Sequence, residues 1–348
     1  MTGATAAGAA GTGRVTPSRL FLLGPQRLRP TVVTAVRALG FAGNDLRVAT
    51  VTAGWQELEG EDQELREHLV GGTTNLDLYR RAERVFERDP ELATAHRERQ
   101  DLFRRMQSAH RARLRFAIDA CRELGRGAAS GDEVYRVEWS AAMDAVRDLD
   151  RAHLRRVFET RAAFDERWRP LEREPVARER EEIREILARV KVLAIAGGQV
   201  AVLANRLRLF GIGDLWSGRP VVAWSAGTMA IAERVVVFHD SPPHGPGNPE
   251  ILDVGLGWCR GVVPLPHARR RLQLGDAERV SRTATRFAPD LCVALDEGCG
   301  IEWTGSRWAA WPGTRHLHPD GTVTEMEPTA AGAGPADSPS PAAPQEVA

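Results

Sequence analysis

The sequence predicts an α/β protein: a doubly wound, mostly parallel sheet carrying a long α-helical insertion. Three observations predict it. Short apolar runs alternate with an amphipathic stretch at the start of the chain. The alternation stops near Arg80, giving way to a segment dense in Arg, Glu, Ala and Leu with apolar residues at helical spacing. It resumes near Val190. Parallel strands need crossover connections, so strand–helix–strand alternation at this spacing implies a sheet covered on both faces.

Size and composition bound what such a chain can be. With 348 residues it supports one large core with an insertion, or two domains; 43% hydrophobic and 27% charged residues indicate a soluble globular chain. Its 47 basic and 47 acidic residues balance, so nucleic acid is not an expected partner. Lys191 is the sole lysine, a bias that reads as codon composition rather than guanidinium chemistry. Cys121, Cys259, Cys292 and Cys299 are scattered without C-x-x-C spacing, which argues against a zinc site or a disulfide framework and fits a reducing cytoplasm. The N-terminal stretch lacks the apolar core of a secretory signal, and no apolar run reaches a membrane-spanning length of about 18 residues. A cytoplasmic protein with no membrane association, metal or cofactor is expected.

Each element follows in order. Residues 1–17 and 327–348 are rich in Ala, Gly, Pro and Ser and are expected to be disordered tails, since they cannot bury enough to offset their ordering entropy. Residues 18–80 form the first part of the α/β domain, with strands in "RLFLLG" (19–24), "LRVATVTAG" (46–54) and "TNLDLY" (74–79), and a helix over 30–39. Residues 81–188 are the helical insertion, two to four long amphipathic helices. Leu102, Phe103, Met106, His110, Leu114, Ala117 and Cys121 fall on one line there, and the intervening charges read as a solvated face with i,i+4 pairs in preference to a partner groove. Ser130 or Asp132 is the N-cap after the "GRGAASGDEV" turn. Residues 189–326 form the second part of the domain and carry the site. Its strands are "VKVLAIAGG", "RPVVAWS", "GVVPLPH" and "LCVALDEG"; its helices are "VAVLANRLRLFG", "AGTMAIAER" and "DAERVSRTATRFA"; short terminal strands finish an edge of the sheet.

The chemistry-bearing residues sit at predicted strand ends, where ligands bind in such sheets. Ala223-Trp224-Ser225-Ala226-Gly227 has the small neighbours that a sharp strand-to-helix elbow requires, and such an elbow presents a nucleophile above a helix N-terminus. A buried turn needing small side chains would read the same way. His267 ends "GVVPLPH" and could serve as base or as a structural residue; His239, His244, His316 and His318 are weaker candidates. Glu297, with Asp296 beside it, ends "LCVALDEG", either as the orienting carboxylate or as a turn. Gly197 and Gly198 let backbone amides approach a substrate carbonyl, with the Ala226 amide as second donor, though Gly-Gly also suits a phosphate or a plain turn. Ser, His and Glu at three successive strand ends can converge on one crevice.

The ordered blocks "LAIAGGQVAVLANRLRLFGI", "PVVAWSAGTMAIAERVVVFHDSPP", "GLGWCRGVVPLPHARRRL" and "VALDEGCGIEW" resemble the motifs of the serine peptidase family that contains peptidase E and cyanophycinase. The resemblance spans about 190–305 well and the first strands loosely, and it leaves the helical stretch without a counterpart. It implies a class I glutamine amidotransferase-like, flavodoxin-like fold, with Ser225 as nucleophile, His267 as general base and acid, and Glu297 as its orienting carboxylate. Gly198 and Ala226 then form the oxyanion hole, and Gly197, Gln199 and Arg271 face the substrate. Val200 stands where the family often has Asn or Gln, and Arg269, Arg270 and Arg271 crowd behind His267 where cyanophycinases space their arginines. The expected activity is that of a peptidase or dipeptidase cleaving a small peptide or amide, acidic and Asp-containing ones included. The alternatives are an amidase or acyltransferase with the same triad, and a non-catalytic amidotransferase-like module whose insertion engages a protein partner. A homo-oligomer built through the insertion is compatible with each.

Overall fold

The computed structural model describes residues 17–41, 47–69, 72–238, 247–305 and 307–327. Apart from Pro17 and Glu327, the two expected tails lie outside the described residues, as do His239 and His244. The first segment comprises β1 (Leu20–Leu23), α1 (Val32–Ala38), β2 (Arg47–Val51), a 3₁₀ turn (Ala53–Leu58), α2 (Gln63–His68) and β3 (Gly72–Asn75). Four helices follow: α3 (Leu78–Arg88), α4 (Pro90–Ala129), α5 (Glu133–Trp168) and α6 (Glu174–Ala188). Then come β4 (Val192–Ile195), α7 (Val200–Leu209), α8 (Ile212–Leu215), β5 (Val221–Trp224), α9 (Ala226–Ile231), β6 (Arg234–Val237) and β7 (Glu250–Val254). The chain continues through β8 (Val262–Pro266), α10 (Ala268–Leu272), α11 (Ala277–Phe287) and β9 (Leu291–Leu295). It closes with β10 (Gly300–Trp303), β11 (Trp308–Ala310), β12 (Arg315–Leu317) and β13 (Val323–Glu325).

The architecture is mixed α/β. The main sheet has seven strands in the order β11-β10-β1-β5-β4-β2-β3; β1, β5, β4, β2 and β3 run parallel, and β10 and β11 are antiparallel. Every residue of β1, β4 and β5 is buried, as uninterrupted apolar strands covered on both faces require. Alternate residues serve opposite faces. Leu20, Leu22, Leu193, Ile195, Val221 and Ala223 join one core, whereas Phe21, Leu23, Val192, Ala194, Val222 and Trp224 join another with Val32, Ala35 and Val36 of α1.

Two expectations need correction. The strands ending in His267 and Glu297 are not in the main sheet: β8 and β9 pair in parallel within a second sheet, ordered β13-β12-β9-β8. A tight turn after β9, closed by Cys299 N donating to Asp296 O (3.1 Å), leads into β10, and β10 occupies the edge of the main sheet beside β1. The strand expected over 74–79 lies at Gly72–Asn75; Asp77 turns left-handed (φ 49°) and Leu78 already begins α3, inserting into the core from a helix. Beyond the expected elements, the segment after α9 contributes an antiparallel pair, β6 with β7.

In the helical region α4 and α5 run 40 and 36 residues and pack along Leu114, Ile118, Cys121, Met143 and Val146. The expected line is partly displaced: His110, Leu114 and Cys121 are buried and Leu102 is exposed, with Gln107 and Ile118 taking buried places. Asp132, not Ser130, caps α5, accepting from Val134 N at 2.9 Å. All four cysteines are free and buried. Among the described residues no helix is long and apolar enough to cross a membrane, and no group of three or more His, Cys, Asp or Glu is placed to hold a metal ion.

Candidate active site

Ser225 sits between β5 and α9 with φ 51° and ψ −123°, a conformation that costs a non-glycine residue on the order of 1–3 kcal/mol. Two anchors impose it. Ser225 N donates to Leu23 O (3.0 Å), continuing the β5–β1 pairing through the bend, and Ser225 O accepts from Thr228 N (3.1 Å) and Thr228 Oγ1 (2.7 Å) as α9 starts. Small neighbours are obligatory. A methyl group at Gly227 would lie 2.5 Å from Ile195 O, and one at Gly197 would lie 2.9 Å from Ser225 Cβ and 3.2 Å from its Oγ. The hydroxyl therefore faces the Gly197 turn at the end of β4.

Gly198 has φ 108° and packs on Gly54, where a methyl group would meet the Gly54 carbonyl oxygen at 2.4 Å. Gln199 N donates to that same oxygen at 2.7 Å, which holds the turn against the segment following β2. Among the described residues the Gly198 amide makes no hydrogen bond, and the Ala226 amide, at the first position of α9, has no partner within its helix. Both donors expected of an oxyanion hole are thus uncommitted beside Ser225. The Gln199 Oε1 accepts from Val202 N (3.0 Å) as the N-cap of α7.

His267 and the acidic pair reach the same rim from the second sheet. His267 takes a left-handed conformation (φ 58°), its N–H donates to Leu295 O (3.2 Å), and β8 and β9 are in register at Pro266 and Leu295. Gly24, just past β1, joins the sheets: its N–H donates to Cys299 O (2.9 Å), and a methyl group there would fall 1.8 Å from Asp296 O. The carboxyl ends of β4, β5, β1, β9 and β8 accordingly meet at one edge. Among the described residues no hydrogen bond links the Ser225, His267 and Glu297 side chains.

Burial, then the nearby Arg271 guanidinium, lowers the His267 pKa, with Arg270 adding to it and Asp296 and Glu297 opposing. The half-buried imidazole is therefore neutral at neutral pH, as a base must be. Arg271 is one turn on, its N–H donating to His267 O at 3.0 Å. Glu297 is exposed, whereas Asp296 is largely buried and accepts from Arg269 N at 3.1 Å. His316 and His318 lie with β12, their rings 4.2 Å apart, and His318 Nε2 contacts Thr324 Oγ1 (2.7 Å).

Residue type gave no sign of Gln56. It shares the backbone geometry of Ser225 (φ 59°, ψ −123°), is half-buried and lies two residues from Gly54.

No protein-family model and no curated protein matches the chain. Among solved structures, a peptidase from an acI-B1 Actinobacterium aligns over 88% of this chain and 93% of its own, with 12% sequence identity and a TM-score of 0.43.

Proposed function

We propose that the protein is a serine hydrolase of the peptidase E and cyanophycinase type, on a class I glutamine amidotransferase-like fold, cleaving small peptides, acidic ones included, through an acyl-enzyme on Ser225. One observation carries the reading: the strained elbow at Ser225, with its hydroxyl against Gly197 and two uncommitted amides, Gly198 and Ala226, beside it. Backbone strain at a small, half-buried polar residue persists only where surrounding structure enforces it, and an oxygen nucleophile at a helix N-terminus gives that enforcement a use.

In this mechanism His267 takes the Ser225 proton as the hydroxyl oxygen attacks the substrate carbonyl, and the Gly198 and Ala226 amides hold the tetrahedral oxyanion. The imidazolium passes its proton to the leaving amine; water, activated by the same imidazole, then releases the acyl group. Arg271 offers a guanidinium near the rim for an acidic substrate group. The test is labelling with a serine-directed phosphonate. Wild type should gain one adduct and Ser225→Ala none, with hydrolysis of acidic dipeptides lost by about a thousandfold or more in the variant. Equal labelling of the two proteins refutes the assignment.

Which carboxylate orients the imidazole is a separate question, and the bond from Arg269 N to Asp296 bears on it. Glu297 is the free partner in our reading, so Glu297→Gln should cut kcat about a hundredfold or more with little change in Tm. Asp296→Asn should mainly lower Tm. The reverse pattern, read from kinetics and thermal melts, would transfer the role to Asp296.

A further inference from the structure

A polar cavity of about 300 Å³ opens between the helical hairpin and the far half of α7, where Asn205 and Arg208 lie. From Gln199 to Arg208 the helix rises about 13 Å, so this cavity is distinct from the Ser225 rim.

Besides Arg169, which pairs with Glu172 of the same lining at 3.0 Å, three guanidiniums converge on it, those of Arg99, Arg161 and Arg208. Arg161 is paired with Asp253 and also donates to Asn205 Oδ1 (3.4 Å); Arg208 donates to Val254 O and has Nη1 3.6 Å from Asp253 Oδ2. Arg99 is different. Its guanidinium stacks 3.9 Å over the Phe164 ring, its Nε is fully buried, and among the described residues it forms no hydrogen bond or ion pair. Asp165 lies within the field of all three cations, yet it is not in salt-bridge contact with any of them among the described residues, and burial raises its pKa. Asp253 and Asp165 are thus two carboxylates against three guanidiniums. Burial, then Arg161, pushes Arg99 down to about 9, and burial pushes Arg208 down to about 10, as expected where positive charge is under-compensated. The His96 imidazole, also on the wall, is held neutral by burial and by Arg99, Arg206 and Arg161.

A partly buried guanidinium with no protein anion on it is costly, and a ligand anion would lower the penalty. The lining also has apolar members, Phe164 beneath Arg99 together with Leu171 and Leu209. We propose that this cavity binds a small organic anion, its carboxylate or phosphate head on Arg99 and the Asn205 amide and a short aliphatic body against Phe164, Leu171 and Leu209. Arg99 forks onto the head, and the Asn205 NH₂, whose carbonyl oxygen is spent on Arg161, adds a donor.

The test compares sodium 4-methylvalerate and sodium phosphate with sodium chloride at equal ionic strength, on wild type, Arg99→Met and Asn205→Ala, by thermal melts and titration calorimetry. Wild type should bind 4-methylvalerate and melt several degrees higher than in chloride, with a smaller effect of phosphate. Arg99→Met should melt no lower than wild type in chloride, because the unpaired charge is gone, and should bind at least about tenfold more weakly. Asn205→Ala should weaken binding too, and serves if Arg99→Met does not fold. No effect of either anion on wild type, or full effects in both variants, overturns the site. Phosphate outperforming 4-methylvalerate overturns the aliphatic part and leaves a bare phosphate site. None of these readouts depends on hydrolysis.

Discussion

His267 combines a fixed backbone with a tuned ring. Its left-handed conformation at the start of α10 sets the direction of the side chain, while burial and Arg271 lower its pKa. A base of depressed pKa is neutral further into acid, so the acid limb of kcat/KM should lie below the ordinary histidine value of about 6.5. Arg271→Met removes the second cause and should move that limb upward; an unmoved limb in the pH–rate profile would uncouple Arg271 from the imidazole. Legibility at this scale tracks steric necessity. The elbow was readable because Gly197 and Gly227 stand where a methyl group would strike Ser225 or the β4 carbonyls, so residue identity follows from geometry. The cap that Gln199 gives α7 was not readable, because Ser, Thr, Asp and Asn are the usual N-caps and a glutamine after Gly-Gly looks like a substrate contact. Gln56 was invisible, since nothing in a glutamine announces a positive φ.

The α4–α5 hairpin buries polar groups along its seam. His110 and His153 stack with ring centroids 4.3 Å apart, and His110 Nε2 lies 3.4 Å from Asp150 Oδ1. Burial, then His110, pushes His153 down to about 4, with Arg156 adding and Asp150 and the Leu252 carbonyl opposing; burial and neighbouring arginines push His96 down to about 2. Both imidazoles titrate near 6.5 once unfolded, so below that pH the unfolded chain binds more protons than the folded one. Stability should therefore be full above pH 6.5 and fall on acidification, the His153 share being exhausted near pH 4. Urea midpoints measured across this range should drop in wild type and drop less in His153→Phe, which keeps the stacked ring. Equal slopes would rule out the imidazole as the source. At this scale long periodic helices and wholly apolar strands were legible because burial on one face or both writes a period into the chain. The β6–β7 hairpin was not: β6 abuts a short α9, and its apolar run merges with that helix in sequence. The separation of β8 and β9 from the main sheet depends on a pairing between β10 and β1 that lies far apart in the chain, and no local pattern carries it.

In the whole molecule the candidate triad is divided between two bodies of structure, with Ser225 on the main sheet and His267 and Glu297 on the second. The helical hairpin grips the side that holds the second pair. Arg286 of α11 binds Asp150 of α5 bidentately, Nε to Oδ2 at 2.6 Å and Nη2 to Oδ1 at 2.7 Å, with both residues buried. Arg161 holds Asp253 of β7, and Gln107 and Arg111 reach Glu250 of the same strand at 3.1 and 2.9 Å. Arg161 also touches Asn205 of α7, which packs beside the main sheet, so α5 spans both bodies. A buried ion pair adds little net stability over an apolar pair, but losing one partner strands the other, at about 3–5 kcal/mol. Asp150→Leu should lower stability by that amount, and Asp150→Leu with Arg286→Met should recover most of it, measured by urea unfolding. Activity separates stability from alignment. If the pair also sets the angle at which α11 presents β8 and β9 to Ser225, the double variant should regain its urea midpoint and still show reduced kcat, because two apolar side chains restore packing without a directional contact. Full recovery of both would mean that the hairpin only steadies the fold, and that the Gly24 junction alone aligns the two halves of the site.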